Sequence, residues 1–310
     1  MSLLLISQNR DLSALREALQ NEDANLDIEV WPNVKNKERI TFAVCWNQPK
    51  NVLGSYPNLR VACSYGAGVD HLMKDESLKP EVKIGRVVTD CLKKQMTDYV
   101  LQAILNFRNN TAKYAEQKRK GVWNAHASIP KEDCTIGILG MGEMGKAVEH
   151  VLLTNGYKVF GWSSPKRKKK GCKCNHAVSE DVDPFLPYVN ILVCLLPLTP
   201  ETEGILNLNL FKRLKKPAFL INVGRGEHLI DEDLLYALDT GALSGACLDV
   251  FNEEPLPENH PFWNRPNIMI TPHVGAITNP TEAAKHILEN YKRSLSGMEL
   301  VHQASREKGY

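Results

Sequence analysis

Short apolar runs alternate with helix-like stretches along the whole chain. In the first third, Leu3–Ile6, Asp27–Trp31, Thr41–Cys45, Leu59–Ser64 and Lys83–Val88 read as strands. "DLSALREALQ", beginning at Asp11, predicts a helix between the first two. A longer pattern, "MTDYVLQAILNFRNNTAKYAEQKRK", repeats Tyr99, Ala103 and Phe107 at helical spacing and predicts a long helix. A second series of strands is predicted at Thr135–Leu139, Lys158–Gly161, Ile191–Leu195, Ala218–Val223, Gly245–Val250 and Ile268–Thr271. Between them "DEDLLYALDTG" predicts a helix with Asp231 as N-cap and Gly241 as its stop signal. A last amphipathic helix is predicted at "PTEAAKHILENYKRSL".

Buried strands separated by helices are the signature of parallel sheets covered on both faces. The expected fold class is therefore α/β, with two doubly wound parallel-sheet domains in series. At 310 residues the chain exceeds the length at which a single core usually stops growing. Residues 1–101 plus 280–310 are expected to form one domain and 102–279 the other, with long helices crossing between them.

Composition narrows the class. Hydrophobic residues at 43% and charged residues at 24% are ordinary for a soluble globular protein. A net charge of +2 on this length argues against a nucleic-acid partner. The N-terminus has no basic lead, and its apolar core, Leu3 to Ile6, is too short for a signal peptide or membrane span. No membrane association and a cytoplasmic location are expected. Cys45, Cys63, Cys194 and Cys247 sit inside apolar runs, as small buried hydrophobes in a reducing compartment do. "CKCNH" brings Cys172, Cys174 and His176 together, but a metal site needs roughly four ligands and no second cluster completes one. No metal is expected there, and the stretch reads as an exposed loop.

Candidate chemistry gathers at predicted strand ends, where open α/β sheets bind ligands. "TIGILGMGEMGKAVEHVL" supplies a strand, then Gly140, Gly142 and Gly145 in G-x-G-x-x-G spacing, then a helix. Those glycines permit a tight turn, close approach of backbone to a pyrophosphate, and close packing of helix on sheet. The helix N-terminus offers N–H groups to the phosphates. "LINVGRGEHLID" ends a strand in Asn222, Val223, Gly224 and Arg225, whose planar fork suits a carboxylate or ties down a loop. "GACLDVFNEEPLP" places Glu253 and Glu254 after the next strand, and "IMITPHVGAIT" leaves His273 after the one following. A carboxylate and a histidine on adjacent strand-end loops suit an acid–base pair.

The ordered series "GAGVDHL", "LGMGEMG", "LLPLTPETEGIL", "NVGRGEHLIDEDLLYAL", "GACLDVFNEEPLP" and "TPHVGAIT" resembles the D-isomer-specific 2-hydroxyacid dehydrogenases over nearly the whole chain. Within that family the chain resembles the bacterial glyoxylate/hydroxypyruvate reductase A type, on "LQAILNFR", "FNEEPLPENHPFW" and "REKGY". The resemblance implies a flavodoxin-like substrate domain and a Rossmann dinucleotide-binding domain, in a homodimer. It implies an NADPH-dependent reductase of short 2-keto acids, glyoxylate and hydroxypyruvate foremost. Arg225 would hold the substrate carboxylate, with backbone N–H groups of Ala67 and Gly68 on the same group. His273 would give the proton, and Glu254 would hydrogen-bond His273 and favour its protonated form. The cofactor would lie across Gly142, Glu143, Met144 and Gly145, with Leu196, Pro197, Thr202 and Val223 along the wall and Asp249 near the nicotinamide amide. Trp123 resembles a residue that reaches a partner subunit. A 3-phosphoglycerate dehydrogenase-like enzyme and a nucleotide-sensing binding protein on the same scaffold are the competing expectations.

One stretch departs from the NAD pattern. "GWSSPKRKKK" has no acid where a ribose 2′-hydroxyl would be met, and instead offers Ser163, Lys166 and Arg167. NADPH is therefore expected over NADH, the competing reading being a solvated basic loop.

Overall fold

The computed structural model describes residues 1–163, 175–178 and 183–310. The chain divides into two compact units, Met1–Leu92 with Ile277–Tyr310, and Lys93–Ala276.

The first unit holds β1 (Ser2–Ser7), α1 (Ser13–Glu22), β2 (Ile28–Val30), β3 (Ile40–Trp46), β4 (Val61–Ser64), α2 (Asp70–Met73) and β5 (Lys83–Arg86). Its five strands pair in parallel in the order β2-β1-β3-β4-β5. Alternate residues face opposite ways, as a pleated strand requires. Leu4, Ile6, Ala43 and Cys45 enter one core with Leu53, Leu72 and Leu78.

The chain then runs through α3 (Asp90–Arg108), α4 (Thr111–Lys120), β6 (Thr135–Leu139), α5 (Glu143–Thr154), β7 (Lys158–Ser163), β8 (Asn175–Val178), β9 (Ile191–Cys194), α6 (Leu208–Arg213), β10 (Phe219–Asn222), α7 (Asp231–Asp239), β11 (Gly245–Leu248) and β12 (Ile268–Ile270). The closing helix, α8 (Pro280–Leu295), returns to the first unit and packs on α1. Tyr291 of α8 meets Phe42 edge to face at 5.8 Å, covering the sheet's second side.

The second unit carries a seven-stranded parallel sheet, ordered β12-β11-β10-β9-β6-β7-β8. Ile191 and Val193 of β9 enter one core while Leu192 and Cys194 enter the other. Burial on both faces explains why these strands read as unbroken apolar runs. From β6 the sheet grows one way through β7 and β8, then the other way from β9. Loops after β6 and β9 therefore flank the point where the winding reverses, which is where such sheets bind ligands.

Three local expectations change. The long helix breaks at Asn109 and Asn110, because Asn110 takes a left-handed backbone (φ 56°) that asparagine tolerates well. Asn110 then donates from its side chain to the Ala127 carbonyl at 2.9 Å. Asp231 is the first residue of α7 rather than its N-cap, which is Ile230; its carboxylate pairs with His260 at 3.3 Å instead. The stretch read as an exposed loop around His176 contains an edge strand, β8, paired with β7. Cys172 and Cys174 lie outside the described residues. Among the described residues no helix is long and apolar enough to cross a membrane.

Candidate active site

The loop after β6 owes its shape to two glycines. Gly140 has φ 103°, and a Cβ there would stand 2.6 Å from the Leu195 carbonyl oxygen. A Cβ on Gly145 would stand 2.0 Å from the Gly140 carbonyl oxygen, so α5 lies against the turn only because that side chain is missing. Gly142 is the N-cap of α5, and no side chain caps the helix there. The first N–H groups of α5, from Glu143 and Met144 onward, are thus left for an anion, with the positive end of the helix dipole behind them. This cradle fits a dinucleotide pyrophosphate.

Across the winding reversal, the loop after β9 carries Leu196, Pro197 and Thr202. Leu196 and Thr202 are buried. The Thr202 hydroxyl donates to the Pro197 carbonyl at 2.7 Å and accepts the Thr199 N–H at 2.9 Å, so it shapes this wall from within. At the end of β7, Ser163 is buried. Lys166 and Arg167 lie outside the described residues.

Beyond β10, Asn222 fastens the next loop by accepting from the Gly224 N–H at 3.2 Å and donating to the Arg225 carbonyl at 2.9 Å. Val223 is buried, and the Arg225 guanidinium donates to the Gly224 carbonyl at 2.7 Å. After β11, Glu254 accepts the Phe251 N–H on one carboxylate oxygen at 3.0 Å. Its other oxygen meets His273 Nδ1 at 2.8 Å. Burial alone would raise the Glu254 carboxyl, but the His273 hydrogen bond and charge, the Phe251 N–H and the nearby Arg225 charge hold it below the usual range. Arg225, Glu254 and His273, from three successive strand-end loops, thus come together at one place. Glu253, the other acid considered, is exposed and forms no such pair among the described residues.

His273 itself stands in left-handed backbone (φ 54°), sparsely populated by residues other than glycine and asparagine. Its surroundings enforce that conformation. The His273 N–H donates to the Asp249 carbonyl at 2.9 Å. The Asp249 carboxylate, 2% exposed, accepts from the Val274 N–H at 2.9 Å, the Gly275 N–H at 2.8 Å and the Thr271 hydroxyl at 2.6 Å. Both its oxygens are thus engaged by the histidine loop, a role the sequence reading did not attach to it. Tyr99, on α3, donates its hydroxyl to Thr271 at 2.5 Å and extends the network. In sequence Tyr99 showed only its helical spacing, which marks a packed face and carries no hint of the hydroxyl's partner.

Ala67 and Gly68 belong to the first unit, in the loop between β4 and α2, where they are partly exposed. That loop is held by the Ser64 hydroxyl, which accepts the Gly66 N–H at 3.2 Å, and by Thr278, which donates to the Tyr65 carbonyl at 2.9 Å.

Residues 101–275 match the family described as D-isomer specific 2-hydroxyacid dehydrogenase, NAD binding domain. The glyoxylate/hydroxypyruvate reductase A of Photorhabdus laumondii is 36% identical over 286 residues, covering 91% of each chain. Two solved structures superpose with TM-scores of 0.92. One is the NADPH-dependent glyoxylate/hydroxypyruvate reductase of Sinorhizobium meliloti in complex with NADP and sulfate, 32% identical and covering 100% of both chains. The other is a D-isomer specific 2-hydroxyacid dehydrogenase of Xanthobacter autotrophicus in complex with NADPH and MES, 31% identical, covering 100% of this chain and 99% of the other.

Proposed function

The chain belongs to the D-isomer specific 2-hydroxyacid dehydrogenases, enzymes that work with a nicotinamide cofactor, and from that membership we propose that it reduces glyoxylate and hydroxypyruvate with NADPH. The observation that carries this reading is the pairing of His273 with Glu254 at 2.8 Å beside the charge of Arg225.

Each group then has a defined task. Arg225 binds the substrate carboxylate through its planar fork and draws charge from the adjacent carbonyl. His273 presents its Nε2–H to the carbonyl oxygen and gives up that proton as the alcohol forms. Glu254 accepts from Nδ1–H, which fixes the ring and leaves Nε2 to face the substrate. Asp249 holds the loop that aims the ring. For Ala67 and Gly68, in the first unit, substrate binding through their backbone N–H groups is part of the same proposal. The N-terminus of α5 and the loops holding Leu196, Pro197, Thr202 and Val223 would hold the dinucleotide, which when bound supplies the hydride. Steady-state turnover of NADPH with glyoxylate and hydroxypyruvate tests the reading; no oxidation of NADPH with either acid would overturn it.

Two finer points belong to the same proposal. Preference for NADPH is supported by the lack of an acid at Ser163, by the basic residues Lys166 and Arg167 that follow it, and by the NADP and NADPH carried by the two relatives. A homodimer is supported by α4, which buries none of its residues, and by Val122 and Trp123, which are 49% and 102% exposed just beyond it. A second copy of this chain is the partner proposed for that face.

A further inference from the structure

The guanidinium of Arg225 can act only if the backbone beneath it is stationary. That residue is extended (φ −140°, ψ 155°), a conformation any side chain adopts, so nothing intrinsic to the residue holds it. The restraint comes from its neighbours. A Cβ on Gly226 would stand 1.9 Å from the Phe251 carbonyl carbon, so the chain after Arg225 is pressed onto the loop that leads to Glu254. On the other side lies His228, wholly buried at 0% exposure.

We propose that His228 is a positioning residue for Arg225, a neutral imidazole that fixes the backbone carrying the guanidinium to the wall formed by Leu196, Pro197 and Thr202. The inference rests on the role given to Arg225 above. His228 Nδ1 accepts the Arg225 N–H at 3.0 Å. That bond leaves the ring proton on Nε2, which donates to the Pro197 carbonyl at 3.2 Å. The same carbonyl takes the Thr202 hydroxyl at 2.7 Å, so its position is fixed from two sides. Burial lowers the His228 imidazole from its usual value and keeps it neutral, the form with one donor and one acceptor that this bridge needs. Cys194 Sγ lies 3.7 Å from Nδ1, and burial pushes that thiol up to about 12, so no thiolate competes for the proton. The ring also fills the space over Gly224, where a Cβ would stand 2.9 Å from Nδ1. One side chain therefore joins the arginine assigned to the substrate carboxylate with the wall assigned to the cofactor. An aliphatic side chain of similar volume fills the space and leaves the Arg225 N–H and the Pro197 carbonyl each short of a partner.

Three substitutions test this. His228→Leu should raise KM for glyoxylate roughly tenfold, the worth of one lost hydrogen bond at a buried site, and lower kcat as well. His228→Asn retains an acceptor near the Nδ1 position and should recover most of that loss. His228→Gln retains a donor near Nε2 but not the acceptor, and should recover less. A merely structural role would lower Tm in all three and leave KM where it was. KM and kcat within about twofold of wild type in folded His228→Leu, or equal KM values in the Asn and Gln variants, would overturn the proposal. Amide hydrogen exchange on the unmodified chain needs no variant. The Arg225 N–H should be protected like the strand amides of Leu220 and Ile221, and rapid exchange there refutes the clamp. A wild type that exchanges slowly at Arg225 but fails to reduce glyoxylate would sink the functional reading and leave the clamp standing.

Discussion

Glu254 holds His273 with one carboxylate oxygen at 2.8 Å while its other oxygen accepts the Phe251 N–H at 3.0 Å. The acid is therefore part of its own loop and part of the histidine's surroundings at once. Its carboxyl lies below its ordinary value near 4.5 despite the opposing effect of burial. A depressed carboxylate adds stability above its unfolded value, and that contribution disappears as pH falls through the lower folded value. Thermal unfolding of wild type and Glu254→Gln should accordingly differ most at pH 5 and above. The gap should close on acidification below that ordinary value near 4.5. A gap that is constant with pH would show that the pair does not stabilise the fold.

Substituting His273 confounds two effects unless the backbone is respected. The residue sits at φ 54°, so His273→Ala adds conformational strain to the loss of the imidazole. His273→Asn tolerates that backbone and removes the proton donor. It should unfold near the wild-type temperature while kcat falls by roughly 10²–10⁴-fold, the usual worth of a positioned general acid. Near-normal kcat in the asparagine variant would remove His273 from the proton transfer.

Asp249→Asn replaces one acceptor oxygen by a donor amide that faces N–H groups of Val274 and Gly275. At least one of those donors then loses a charge-assisted partner, at a cost of about 1.5–3 kcal/mol. Tm should fall, and kcat should fall with it because the His273 loop is no longer held. If Tm fell with kcat unchanged, Asp249 would be a structural acid only.

Cofactor choice is tested by kcat/KM for NADPH and NADH in wild type and in the double variant Lys166→Ala/Arg167→Ala. Wild type should prefer NADPH roughly 10- to 100-fold, as one or two charge-assisted contacts to a 2′-phosphate allow. The double variant should lose most of that preference. Equal use of both cofactors by wild type would leave the basic stretch as solvated charge.

Trp123→Ser, at a fully exposed apolar ring, should weaken self-association without lowering the unfolding temperature of the isolated chain. Sedimentation equilibrium should show wild type as a dimer at micromolar concentration. A wild-type species near the single-chain mass of 34.8 kDa would remove the dimer from the proposal.

What could be read from sequence follows from steric and periodic constraint. The inner strands of the second sheet were visible because burial on both faces leaves no polar alternation, and the loop after β6 was visible because only glycine fits at Gly140 and Gly145. Arg225, Glu254 and His273 were each marked by a place at a strand end. By contrast, β8 (Asn175–Val178) has only two apolar residues and no alternation that outweighs its polar neighbours. The break at Asn110 hid in a stretch whose hydrophobic spacing continued across it. His228, Thr271 and Tyr99 act through hydrogen bonds to partners distant in sequence, and no local pattern encodes a partner. Asp249 was named for a place near the nicotinamide amide, whereas its engagement with three donors of the histidine loop depends on a register that only the folded sheet sets.

The first unit is built from two separated pieces of chain, and this orders events during synthesis. Its sheet is translated first, yet α8, which covers α1 and meets Phe42 through Tyr291, comes last, as does Ala304, whose N–H bonds the Ile84 carbonyl of β5. Until that segment leaves the ribosome, Phe42 of β3 lacks its Tyr291 partner and α1 lacks the helix packed against it. The second unit is a single uninterrupted stretch, complete once Ala276 has emerged. Domains fold as units as they emerge. The nucleotide-binding half can therefore close before the N-terminal half, which lacks one of its two segments until α8 has joined it.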